Sequence, residues 1–226
     1  MELSEYFDLS LFPELSSYIE TGPYDLSLVE GSIATDSDRA MIQEVRRQSR
    51  WLVTIGACAT AGGIQALKNY RDSAACLGMI YAEPAYIDTL SIVSPIAACV
   101  PVDYELRGCP VNPNQLTEVI AAFIWGRTAR ISASCVCLEC KAGNIPCLLV
   151  SESVPCLGPI THSGCGALCP AFNRGCFGCF GGAESVNSAA LGKKFGEFGF
   201  SLEEFSQLLI GFNPCDEAFA CEAIDE

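Results

Sequence analysis

Cys137, Cys140, Cys147, Cys156, Cys165, Cys169, Cys176 and Cys179 lie within 43 residues, with gaps x2, x6, x8, x8, x3, x6, x2 and a CxxC pair at each end. Four thiolates make one iron–sulfur or zinc site, so eight supply two. CxxC is the spacing at which two sulfurs of one turn reach neighbouring irons. Gly143, Gly158, Gly164, Gly166, Gly175 and Gly178 stand beside the cysteines, so the backbone can wrap closely around a bulky group and aim amides at it. Zinc accepts the same thiolates but rarely needs so much glycine, and the reading is a pair of iron–sulfur clusters. A sequential split sets the first four cysteines against the last four. In two-cluster ferredoxins, however, a cysteine followed by proline crosses to the other cluster, and Pro170 follows Cys169, so an interdigitated split stays open.

Other candidates carry blander readings. His162, the only histidine, precedes Cys165 by three residues and is expected to hydrogen-bond near a sulfide. Cys135 is a spare thiol beside Cys137, and Cys76, Cys99, Cys215 and Cys221 read as core or surface thiols. Gly62-Gly63 is not part of a GxGxxG after a strand, so nucleotide binding is rejected. The acidic residues Asp216, Glu217, Glu222, Asp225 and Glu226 read as a solvated tail rather than a docking element.

The elements that must position these residues are βα units. Asp25–Glu30 is a short apolar run, followed by Thr35, Asp36 and Ser37 as N-cap candidates and a helical pattern through Met41, Val45 and Gln48. Trp51–Gly56 is a second run, closed by a loop at Ala57–Gly63 and a helix at Ile64–Tyr70. Two successive units predict a parallel sheet. After an irregular middle, a short strand near Val100–Tyr104 and a helix from Asn112-Pro113 to about Gly126 complete residues 1–130. Ligands of such sheets sit beyond the carboxyl ends of the strands, where Gly31, Cys58 and Cys109 fall. Residues 131–185 are rich in Cys, Gly and Pro and are organised by metal, and residues 186–226 form a helical, acidic tail with a capping box at Ser201–Glu204.

Composition bounds the partners. Thirteen Lys and Arg against 27 Asp and Glu give a net charge of −14, which excludes a nucleic-acid footprint and attraction to an anionic membrane surface. A chain of 226 residues buries a core without metal, so the clusters are functional before they are structural. Fifteen cysteines without a signal peptide point to metal-bound thiolates in the cytoplasm. No apolar run approaches the roughly 18 residues of a membrane span.

The segments VEGSI (Val29–Ile33), GACATAGGIQALKN (Gly56–Asn69), VDYELRGCPVNP (Val102–Pro113) and the run from Val136 to Cys179 resemble the small, electron-transferring subunit of [NiFe] hydrogenases, above all the delta subunit of NADP-linked cytoplasmic sulfhydrogenases. The resemblance covers about residues 25–185. It implies a flavodoxin-like α/β domain followed by a small ferredoxin-like domain with two [4Fe-4S] clusters, medial and distal. It also implies a third, proximal cluster near Glu30, with Cys58 in GxCAxxGG and Cys109 in GCP as two ligands. The family's other two proximal ligands belong to a CxGC motif after its first strand, and nothing ahead of Asp25 matches it. Truncation or a misplaced start codon is the expectation, so the third cluster needs a completed N-terminus; a natural fragment, or a ligand lent by another chain, is the alternative.

The implied function is electron relay without bond chemistry, between a nickel–iron large subunit and flavin- and iron–sulfur-bearing diaphorase subunits that reduce NADP or sulfur in a heterotetramer. Alternatives are the small subunit of a deazaflavin- or heterodisulfide-reductase-linked hydrogenase, and an inactive fragment or metal-bound scaffold. Respiratory complex I has a related cluster subunit, but its adjacent paired cysteines do not occur here.

Overall fold

The computed structural model describes residues 6–12, 17 and 20–219. Cys221, Glu222, Asp225 and Glu226 lie outside them. Three parallel strands, β1 (Tyr24–Val29), β2 (Ser49–Ile55) and β3 (Tyr104–Leu106), form one sheet in the order β1-β2-β3. The fold is α/β, as the βα pattern requires.

Helix α1 (Asp36–Gln48) joins β1 to β2. Of the three candidate caps Thr35 serves: its hydroxyl accepts from Asp38 N–H while the Asp38 carboxylate accepts from Thr35 N–H, a reciprocal capping box. Successive β2 residues point to opposite sides. Leu52 packs with Ile33, Ile42, Ala59, Ile96 and Val100 on the α1 side. Val53 packs with Leu106 and Val119 on the side of α4 (Pro113–Ile124). The central strand is therefore buried on both faces, as a parallel sheet demands.

Two local expectations change. Residues read as the loop Ala57–Gly63 form a helix, α2 (Gly56–Ala61), because its interior residues are mostly alanine, and Gly62 ends it at φ 78° with its N–H on the Cys58 carbonyl. The third strand starts at Tyr104, not Val100. Val100 bonds back to the Ile96 carbonyl in a turn, and Pro101 has no N–H to offer a ladder. Ile64–Tyr70 is helical as expected, in the tighter 3-10 form. Beyond it the pattern gave no hint of α3 (Ser73–Ile80), an apolar helix with no buried residue.

The cysteine segment carries α5 (Val136–Ala142), α6 (Leu148–Ser151) and α7 (Leu168–Ala171). Helices α8 (Ser188–Glu197) and α9 (Leu202–Ile210) follow, α9 opened by the expected Ser201–Glu204 capping box. Their Leu191, Phe195, Phe205 and Leu209 share one core with Leu157 and Ile160 of the cysteine segment and with Phe219. Apolar packing, and not thiols alone, thus orders this half.

Residues 213–219 strap the halves together. Asn213 donates to the Gly178 carbonyl at 2.7 Å, Cys215 N–H to the Ala61 carbonyl at 3.1 Å, and Tyr70 Oη to the Pro214 carbonyl at 2.8 Å. Asp216 differs from the solvated reading of its tail. Its side chain is only 9% exposed, pairs with Arg107 at 3.3 Å and accepts the Gly182 N–H at 2.8 Å. Arg107 also donates to the Gly182 carbonyl at 2.9 Å.

Candidate metal centres

Cys58 and Cys109 emerge at the carboxyl edge of β2 and β3. Cys58 lies in the first turn of α2, and Cys109 follows Gly108, whose carbonyl accepts the Ala57 N–H at 3.0 Å. The Gly62-Gly63 pair hugs this loop: a Cβ on Gly63 would stand 2.5 Å from the Cys58 sulfur, and one on Gly62 would stand 2.9 Å from that of Cys215. The Cys58 thiol donates to Gln65 Oε1 at 3.2 Å. Burial, and then the neighbouring Cys58, pushes the Cys109 thiol up. Glu30 is exposed, one residue past β1 at the same edge.

The eight remaining candidates form neighbourhoods. Cys137 is pushed up to about 12 by burial and then by Cys135, Cys156, Cys140 and Cys147. That set contains the other three cysteines of the sequential first group. Cys179 is pushed up to about 11 by burial and by Cys165, Cys169 and Cys109, partly offset by the Cys109 N–H on its sulfur. Cys169 is raised by burial and by Cys165 and Cys156, against Arg174. Cys176, the most buried, is pushed up to about 12; burial dominates over the Gly178 and Thr161 hydrogen bonds, with Cys156 and Cys179 adding to it. Between the groups, Cys176 N–H donates to the Cys156 sulfur at 3.2 Å.

Buried thiols of raised pKa resist ionising until a cation compensates their charge. The residues fit an iron–sulfur group on three counts: an all-thiol donor set, backbone N–H groups aimed at the sulfurs of Cys156, Cys176 and Cys179, and glycines that keep room. At Gly158 a Cβ would lie 3.3 Å from the Cys156 sulfur and 3.7 Å from that of Cys137. Among the described residues no three His, Cys, Asp or Glu side chains close around one metal ion. The thiols neighbour one another without converging on a point.

The remaining residues are placed as follows. His162 Nδ1 lies 2.7 Å from the Ser163 carbonyl, and the ring lines a cleft of about 150 Å³ with Glu105, Arg107 and Gln115. Cys135 is the neighbour of Cys137, Cys99 lies 3.9 Å from Ser94 Oγ, and Cys76 lines the hollow between α3 and α9. The residue that spacing alone did not reveal is Glu139, inside the first CxxC, which bonds to the backbone around Cys165.

A parallel α/β sheet with thiols at its carboxyl edge, continued by two thiol groups in a glycine-rich segment, is a donor set suited to an iron–sulfur protein of the electron-transfer class. Residues 2–123 match the family model described as NADH ubiquinone oxidoreductase, 20 Kd subunit, and the chain belongs to this family. Among its relatives, the sulfhydrogenase 2 subunit delta of Pyrococcus furiosus is 31% identical over 181 residues, covering 80% of this chain and 76% of that protein. An F420-non-reducing hydrogenase subunit of Methanothermobacter marburgensis is 26% identical, covering 80% of this chain and 70% of that protein. A crystal structure of NAD+-reducing [NiFe]-hydrogenase in the H2-reduced state superimposes with a TM-score of 0.52 at 26% identity, over 57% of this chain and 80% of that one.

Proposed function

We propose that this chain is the electron-relay subunit of a [NiFe] hydrogenase. A large subunit splits H2, and electrons pass through this chain to flavin- and iron–sulfur-bearing subunits that reduce NADP or sulfur, in the cytoplasm. The carrying observation is continuity. Cys58 adjoins Cys109, Cys109 N–H bonds to the Cys179 sulfur, Cys179 neighbours Cys165 and Cys169, and Cys176 N–H bonds to the Cys156 sulfur beside Cys137. The surroundings of Cys137 support the sequential split, with Cys137, Cys140, Cys147 and Cys156 holding one [4Fe-4S] cluster and Cys165, Cys169, Cys176 and Cys179 the other. Cys156, which also adjoins Cys169 and Cys176, stands where the two groups meet. Cys58 and Cys109 are two thiolates of a third, which takes four.

Each cluster, when bound, takes up and releases one electron. The chain's own residues supply burial, N–H donors to sulfur and spacing, which set the potentials. Tyr70, Met79, Ile80, Tyr86 and Ile92 are exposed apolar side chains of the kind a partner subunit covers. Among the described residues no helix is long and apolar enough to cross a membrane.

Anaerobic purification of the assembly with iron, acid-labile sulfide and zinc analysis tests the reading. Iron and sulfide for two or more clusters, reducible by H2, are expected; zinc without acid-labile sulfide sinks it. The similarity to an F420-non-reducing hydrogenase supports a second reading, in which the chain serves a hydrogenase whose acceptor is not NADP. The partner that co-purifies decides between the two.

A further inference from the structure

Glu139 sits between Cys137 and Cys140 on α5. Its half-buried side chain reaches the segment around Cys165. Oε1 accepts the Gly164 N–H at 3.0 Å and the Gly166 N–H at 3.2 Å. Oε2 accepts the Ala167 N–H at 3.2 Å and faces the Cys165 sulfur at 3.9 Å. Three amides converging on one carboxylate form an anion-binding nest, and charge-assisted bonds of this kind are the strong ones. The segment that presents them is contorted. Gly164, Gly166 and Ala167 have φ of 144°, 68° and 54°, and Ala167 is fully buried. Left-handed alanine persists only where its surroundings hold it, and Glu139 is the group on those N–H donors.

The carboxylate therefore belongs by sequence to the Cys137/Cys140 group and by hydrogen bonding to the Cys165 group. We infer that Glu139 is a positioning residue of the electron path: it locks the Cys165 loop to α5 and sets one fixed negative charge between the two thiol groups, lowering the reduction potential of both clusters. The inference rests on reading the thiols as cluster ligands. Its physical ground is that negative charge opposes the arrival of an electron nearby.

The test uses the whole assembly, purified anaerobically, with Glu139→Gln and Glu139→Ala. Glutamine keeps an oxygen acceptor and removes the charge; alanine removes both. Glu139→Gln should keep wild-type iron and sulfide while EPR-monitored titration shows midpoint potentials shifted upward. Glu139→Ala should in addition accelerate amide hydrogen exchange at Gly164, Gly166 and Ala167 by roughly tenfold, the scale of one lost hydrogen bond. Wild-type potentials in the glutamine variant, or unchanged exchange in the alanine variant, overturn the inference. A wild-type assembly without iron and sulfide sinks the cluster reading and the potential shift with it, while amide exchange still decides whether Glu139 anchors the loop.

Discussion

At Gly63 an added Cβ would lie 2.5 Å from the Cys58 sulfur and 2.8 Å from Cys58 Cα, and the backbone stands at φ 59°, ψ −164°, a region nearly closed to other residues. Gly63→Ala is expected to cost about 1–3 kcal/mol in urea unfolding, with Cys58 displaced. The glycine pair was legible in the sequence, but only as a motif that is not a nucleotide loop. Its approach to Cys58 on one side and Cys215 on the other was not legible, because Cys215 arrives from the far end of the chain. The pH response belongs to this scale too. Burial opposes ionisation of Asp103, but the Arg46 guanidinium and the Leu52 N–H outweigh it and hold the carboxyl below its usual range. A carboxylate of depressed pKa stabilises the fold above its unfolded value, near about 3.9, and that contribution is lost as pH falls toward the folded one. Asp103→Asn should therefore destabilise at pH 6 and cost less at pH 3, which urea titrations at the two pH values compare.

A side-chain cap alone did not make a helix legible: α3 is capped by Asp72, whose carboxylate accepts the Ala75 N–H, yet its uniformly apolar sequence carried no helical period. Thr35 and Ser201 begin their helices with reciprocal boxes; the Ser201–Glu204 box was readable from residue types three apart, whereas Thr35 was legible only as one of three N-cap candidates. Ser201→Ala is expected to cost about 0.5–2 kcal/mol. Helix α2 begins without a side-chain cap, and its small residues beside glycine read as a loop. Helices α8 and α9 meet through Phe195 and Phe205, whose rings lie 5.0 Å apart and edge to face, with Phe195 wholly buried. Phe195→Ala should cost about 3–5 kcal/mol, measured by thermal or urea unfolding. Because the same core includes Leu157 and Ile160, which lie within the Cys156–Cys165 stretch, weaker retention of any cluster proposed for that half should accompany it.

Across the molecule, the strap at 213–219 couples the sheet to the cysteine-rich half through Asp216. Its carboxylate meets Arg107, next to β3, and the Gly182 N–H together. Asp216→Ala leaves the partly buried Arg107 without its counter-ion and the Gly182 N–H without an acceptor, a loss on the order of 1–3 kcal/mol. Arg107→Ala should do similarly, and the double variant less than the sum, which a double-mutant cycle reads directly. If the halves are held in register by this pair, electron transfer from the Cys109 side to the Cys179 side should slow in both variants before unfolding is detectable.

By itself, the sequence determined chemistry and local order: eight thiols with cluster spacing, glycines beside them, the Ser201–Glu204 capping box and the βα succession. These depend on residue type and on neighbours a few positions away. Only the tertiary structure decided which thiols neighbour which, that Cys109 reaches Cys179, that Asp216 is paired and that Glu139 bridges the two groups. Such contacts join residues as far apart as Arg107 and Asp216, and spacing along a chain carries no record of which distant segments its folding will bring together.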